Sequence, residues 1–226
     1  MKITLRHHYL SEPRYSRYLI AVNGDVFKAR KLYHANIRLA QAFHPIISQF
    51  EVILRNCINK RLGSHFNDHN WIINQKNGFM SHESLKESKF FILNQVQKTE
   101  YRFRKKGIPI TNGKIVSEQN FGFWLAFFLP HHHKLLEGQL IHIFSNKPNT
   151  VNRSNIYGRL NQIREFRNRV NHCEPLCFRG NEIDCNTARE ILHDIYELLG
   201  WIGLEIVPFI KAFDNIEGKI NQINNI

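Results

Sequence analysis

The chain has 226 residues, of which 42% are hydrophobic and 12% aromatic, seventeen of them Phe, a composition that excludes a disordered or fibrous protein. Lys and Arg total 31 against 19 acidic residues, a formal charge of +12 that predicts attraction to polyanions. The opening "MKITLRHHYL" is too polar for a signal peptide, and the longest apolar run, "FGFWLAFFL", falls far short of the ~20 residues that span a bilayer. A membrane role is therefore not expected, and a cytoplasmic location is.

The elements read almost entirely as helix. "SEPRYSRYLIAV" has Ser11 as a cap, Pro13 in the first turn, and apolar positions at Tyr15, Tyr18, Leu19 and Val22. "NGD" at 23–25 is a turn whose Asp25 caps a helix to about Phe43, and Pro45 predicts a kink or a restart there. From Pro45 to Gly63, apolar residues at Ile46, Ile47, Phe50, Ile53, Leu54, Cys57 and Ile58 keep the helical period. A further helix is expected from about Ser84 to Lys105, and "GIPITNGKI" reads as a break with turn chemistry at Asn112-Gly113.

Ser117 and Glu118 then open the apolar helix "NFGFWLAFFL", stopped at Pro130, and "HHHKLLEGQLIHIF" continues to about Phe144. Two last helices are expected over roughly Asn155–His172 and Thr187–Phe213, with a frayed polar tail from about 215. With no repeat and no linker, residues 1–226 read as a single all-α domain, a helical bundle carrying additional N-terminal helices.

Four cysteines, Cys57, Cys173, Cys177 and Cys185, are expected as reduced thiols. The group "HCEPLCFRGNEIDC" offers one His and three Cys, but its C-x3-C-x7-C spacing matches no common zinc knuckle, so neither a metal nor a cofactor is predicted. His131, His132 and His133 are consecutive at a helix start and point three ways, which predicts solvent exposure rather than ligation. Trp71, Trp124 and Trp201 read as core anchors. The run Tyr101-Arg102-Phe103-Arg104-Lys105-Lys106 interleaves aromatics and bases in a manner suited to RNA, and equally describes the basic end of an amphipathic helix.

The densest polar chemistry lies in "EFRNRVNHCEP", Glu165–Pro175. Ile156, Leu160, Ile163, Phe166 and Val170 mark the buried stripe of the helix leading into it, and Asn168 and His172 share a face four residues apart. Pro175 disfavours helical geometry at Glu174, which predicts a helix end near His172. A guanidinium (Arg167), an amide (Asn168) and an imidazole (His172) would then meet at one helix end. Those groups suit a phosphodiester: Arg grips non-bridging oxygens, and His moves a proton near neutrality. A solvated helix end is the alternative reading of the same residues.

"RNRVNH" resembles the R-x4-H signature of the HEPN superfamily in its RNxxxH form, and the trailing "CEP" resembles the Abi-like (abortive infection) branch. The segment from Arg17 to Leu62 is similar to that branch's N-terminal helices, with an F-E-x-x-L-R-N pattern at Phe50, Glu51, Leu54, Arg55 and Asn56. "NFGFWLAFF" at Asn120–Phe128 resembles its Phe-Gly-centred helix, although the aromatic in "FGFW" departs from the smaller or polar residue often found there.

The resemblance implies a HEPN-like helical bundle acting as a metal-independent endoribonuclease, a toxin of phage defence or of a toxin–antitoxin pair. RNA, a second copy completing a composite active site, and an antitoxin are the partners it implies, with no cofactor. Carried onto this chain, His172 would be general base or acid, Arg167 would stabilise developing charge, and Asn168 would orient His172 or bind phosphate. Glu51, Arg55, Asn56 and Glu174 would support these residues or line the RNA cleft. A catalytically silent module that binds RNA, a nucleotide or a protein partner is the alternative.

Overall fold

The computed structural model describes residues 9–226 and is all-α apart from one two-stranded hairpin. Eleven α-helices follow one another among the described residues: α1 (Glu12–Ala21), α2 (Val26–His65), α3 (Trp71–Asn74), α4 (Phe91–Lys105), α5 (Asn112–Glu118), α6 (Phe121–Ala126), α7 (Pro130–Leu135), α8 (Arg153–Asn171), α9 (Asn186–Ile202), α10 (Ile206–Lys211) and α11 (Ile216–Asn224). The hairpin, β1 (Phe178–Arg179) and β2 (Glu182–Ile183), is antiparallel with Phe178 opposite Ile183, and Gly180 supplies its turn at φ 60°. No helix among the described residues is long and apolar enough to cross a membrane.

Two compact units divide the chain. The first comprises the described residues through Gln49 together with Glu165–Glu197 and Val207–Ile226; the second comprises Phe50–Arg164 and Leu198–Ile206. In the first unit α1 packs through Tyr15 and Tyr18, whose rings meet Tyr33 of α2 at 6.0 and 5.2 Å. Phe43 of α2 holds Phe166 of α8 edge-on at 4.7 Å, and Tyr18 meets Phe178 of β1 at 5.1 Å. The second unit is built on an aromatic core in which Trp71, Phe79, Phe123 and Trp124 all lie against Phe127 at 5.3–6.2 Å. The buried carboxylate of Glu100 there is matched by Lys76 at 2.5 Å and by Arg104 at 3.5 Å. Trp71, Trp124 and Trp201 are all buried, as anchors should be.

Several local expectations are corrected. Helix α2 does not restart at Pro45 but runs unbroken with the proline inside it. One backbone bond is lost at such a site, and burial of Phe43, Ile46 and Ile47 on either side holds the helix through it. Asn112-Gly113 is not a turn: Thr111 accepts the Lys114 N–H and caps α5, which includes both residues. The helix expected from Ser84 begins only at Phe91, behind a series of 3₁₀ turns. The long final helix breaks at Gly203 into α9 and α10.

The tail is not frayed. Residues 216–224 form α11, whose Ile216, Ile220 and Ile223 are fully buried at helical spacing. Arg189 of α9 clamps Glu217 with three hydrogen bonds of 2.7–3.2 Å, and the Tyr196 hydroxyl donates to Asp214 at 2.6 Å. Ile220→Ala is therefore expected to destabilise the protein by about 2–5 kcal/mol, read as a lower urea midpoint at unchanged slope.

The histidine run is also corrected. His132 has no exposed surface, and its Nδ1 lies 2.8 Å from the Ala126 carbonyl oxygen. Desolvation penalises the charged ring and pushes its pKa down from 6.5 to about 4. The neutral form thus contributes stability that is complete above pH 6.5 and is lost as pH falls towards 4. Melts followed by circular dichroism should show a steeper acid loss for the wild type than for His132→Asn, whose amide keeps a donor toward Ala126. Superimposable pH profiles would remove His132 from the acid response.

Candidate functional site: the C-terminal end of helix α8

Helix α8 begins on Asn152, whose side-chain oxygen accepts the N–H groups of Ser154 and Asn155 at 2.8 and 3.1 Å. Its stripe of Ile156, Leu160, Ile163, Phe166 and Val170 is buried throughout. At the other end, Cys173 takes the left-handed conformation at φ 53°. The Glu174 N–H then reaches back to the Arg169 carbonyl at 2.9 Å and the Cys173 N–H to Val170 at 3.2 Å, a Schellman ending. His172 is the residue at which the helix stops, still bonded through its N–H to the Asn168 carbonyl at 2.9 Å.

Arg169 locks that ending from the side. Its guanidinium donates to the Pro175 carbonyl and lies 3.7 Å from the Glu174 carboxylate. Beyond Pro175 the chain is pinned to α2, because the buried Asn36 side chain accepts the Leu176 N–H at 2.7 Å. Leu176, Cys177 and Phe178 are buried immediately afterwards. The polar motif therefore sits on the solvent side of a well-fastened helix end.

The sequence-predicted residues fall as follows. Arg167 is half-buried, while Asn168, His172 and Glu174 are exposed, all within the first unit at this helix end. With its amide oxygen turned toward Arg167, Asn171 accepts from Nε at 3.2 Å and from Nη1 at 3.1 Å, holding the guanidinium along the last turn. Glu51, Arg55 and Asn56 belong to the second unit, where Arg55 donates to the Ser117 carbonyl at 3.5 Å. Glu51 and Arg55 are half-buried and Asn56 is exposed.

Sequence reading missed Arg14. This α1 residue donates from Nη2 to the His172 carbonyl oxygen at 3.4 Å, across 158 positions of chain. Arg17, one turn on, bonds the Gly180 carbonyl and lies over the Phe178 ring at 4.8 Å. No local pattern announces either arginine, since only the packing of Tyr15 and Tyr18 turns their face toward α8. Asn171 was likewise overlooked, although its i,i+4 spacing from Arg167 is a signal the sequence does carry.

The buried thiols of Cys177 and Cys185 offer no reactive group near neutrality. Burial raises the Cys177 pKa to about 12 and that of Cys185 to about 11. His193, Asp194 and Glu197 of α9 place potential ligand atoms within 4.8 Å of one another, with His193 exposed and the two carboxylates half-buried.

The helix end thus carries an Arg167 guanidinium held by Asn171, an Arg14 guanidinium on the His172 carbonyl and an exposed His172. No protein-family model, no curated protein and no solved structure matches this chain.

The Arg169 lock yields a direct prediction. Removing it with Arg169→Ala leaves the Pro175 carbonyl and Glu174 without that donor and should cost about 1 kcal/mol, the site being partly exposed. Hydrogen exchange should quicken at Cys173, Glu174 and Leu176 while the amides of Leu160 and Ile163 in the buried part of α8 stay protected; uniform exchange changes would contradict a local role.

Proposed function

We propose that the protein is an endoribonuclease of the HEPN type, cutting RNA without a metal at the end of α8. The single observation that carries this reading is the placement of "RNRVNH": its histidine stands exposed at a capped helix end, with Arg167 five residues before it in the helix and Arg14 bonded to the His172 carbonyl. His172 would take the proton from a ribose 2′-hydroxyl or return one to the 5′-oxygen that leaves. Arg167, aligned by Asn171, would meet the negative charge that gathers on the phosphorus-bound oxygens. Asn168 would orient the imidazole or bind a phosphate oxygen, and Arg14 would add a phosphate contact.

The products on this mechanism are a 2′,3′-cyclic phosphate and a 5′-hydroxyl. DNA would bind but persist, because deoxyribose lacks the nucleophile. The excess of Lys and Arg supplies sequence-independent attraction to the RNA backbone. A homodimer in which two such helix ends share one cleft, and a role as a toxin in phage defence or in a toxin–antitoxin pair, complete the proposal.

A second reading, an RNA-binding module that does not cut, is favoured by one feature: Arg167 is held by Asn171 rather than extended into solvent. The two separate in a gel assay of purified protein on a mixed RNA pool containing EDTA. Cleavage by the wild type to cyclic-phosphate ends, reduced at least about a hundredfold in His172→Ala and absent on DNA of the same sequence, is the expected outcome. Intact RNA with an affinity that falls steeply in salt establishes the binding reading instead. Cutting that needs a metal and survives His172→Ala would mean that the chemistry lies elsewhere.

A further inference from the structure

From Val26 to Phe50 the chain has no aspartate and no glutamate. Within that span α2 turns one row of side chains to solvent: Phe27, Arg30, Lys31, His34, Arg38 and Gln41. At about 3.6 residues per turn they fall within about 100° of the helix circumference and extend along about 21 Å of its axis. Asn36 and Phe43, which meet Leu176 and Phe166 at the α8 end, lie on the opposite side of α2. The row is therefore a surface separate from the candidate site.

Its positive charge is uncompensated. None of the ion pairs among the described residues includes Arg30, Lys31 or Arg38. No carboxylate stands three or four positions from any of them, the spacing at which opposite charges support a helix. Solubility alone is served by a surface of mixed sign. At one end of the row the Phe27 ring is 73% exposed. An aromatic ring beside a line of cations is the combination that holds a single strand, with bases stacked on the ring and phosphates following the charge.

We propose that this face of α2 binds single-stranded RNA without regard to sequence, Arg30, Lys31 and Arg38 contacting phosphates and Phe27 stacking on a base. Other occupants fit less well. A second copy related by a two-fold axis would set cations against cations. A membrane helix inserts its apolar face, and that of α2 is already spent in the core through Leu32, Leu39, Phe43 and Ile46. The inference deepens the RNA reading by naming a further RNA surface, and it holds equally for a protein that binds RNA without cutting it.

Fluorescence anisotropy of the full chain with a labelled 2′-O-methyl oligouridine tests it, because the blocked 2′-oxygen keeps the strand whole. Combined Arg30→Gln, Lys31→Gln and Arg38→Gln should weaken binding at least about tenfold and flatten the plot of log K against log salt by about 2, at roughly 0.7 per phosphate contact. Phe27→Ala should weaken it at least about fivefold and leave that slope unchanged. All these positions are exposed, so the variants should melt no lower than the wild type. Combined Lys98→Gln, Lys105→Gln and Lys106→Gln, at exposed positions of the second unit, is the charge-matched control and should change affinity less than about threefold. Equal losses in both combined variants would overturn the proposal, leaving net charge as the whole attraction, and so would absence of binding. Loss of attachment to phosphatidylserine vesicles in the α2 variant, with its RNA affinity intact, would also overturn it and make the face a membrane-docking one. Products from unblocked RNA are read separately: binding without cutting upholds the face and fails the ribonuclease reading, and cutting with no effect of the α2 variant on affinity does the reverse.

Discussion

The hydrogen bond from the Leu176 N–H to the buried side chain of Asn36 is the constraint on which the arrangement of the first unit depends. A chain leaving a helix carries backbone donors that must be satisfied before apolar neighbours can be buried. Asn36 satisfies one of them from the middle of α2, and Leu176, Cys177 and Phe178 go into the core directly behind it. Phe178 in turn supports Tyr18 and Arg17 of α1. Removal of that acceptor would leave a buried N–H unpaired and would cost about 1–3 kcal/mol, before counting the packing that follows from it.

The end of α8 is consequently fastened on three sides by different physics. Phe43 grips Phe166 by aromatic packing, Arg169 ties the last carbonyls to the loop, and Asn36 holds the chain beyond. What remains unfastened is the polar face carrying Asn168 and His172. A left-handed residue with a side chain is unfavourable by roughly 1–2 kcal/mol relative to ordinary helical geometry, and Cys173 adopts it here because the two Schellman bonds and Arg169 outweigh that cost. This strained turn separates the helix from Pro175 and fixes the direction in which His172 leaves the backbone.

How much of this was legible depended on the range of the interaction concerned. The buried stripe of α8 was, because Ile156, Leu160, Ile163, Phe166 and Val170 repeat at the helical period and that period is local. The helix end near His172 was legible too, since proline restricts the residue before it. Of the two outcomes expected at Pro45, a restart is ruled out: the local rule is sound, but the flanking burial of Phe43, Ile46 and Ile47 carries the helix through the loss of one hydrogen bond. His132 misled because side-chain polarity does not reveal that Ala126 waits with a carbonyl to receive its N–H. Arg14 was invisible, being joined to the site only by tertiary packing. The β1–β2 hairpin, with two residues in each strand, is too short for any alternation to register.

The polar tail shows the same principle from the other side. "NIEGKINQINNI" has few apolar residues, and composition alone reads it as solvated. Three of its four isoleucines, at 216, 220 and 223, nevertheless fall on one helical face, and all three are buried. A short helix gains little from its own backbone bonds, since nucleation is unfavourable. It is the burial of that single stripe, together with the Arg189–Glu217 clamp, that makes the segment a structural part of the first unit. Spacing, more than polarity, decides whether such a segment folds. The same rule that places the tail against the core leaves the polar face of α8, with Asn168 and His172, exposed to water.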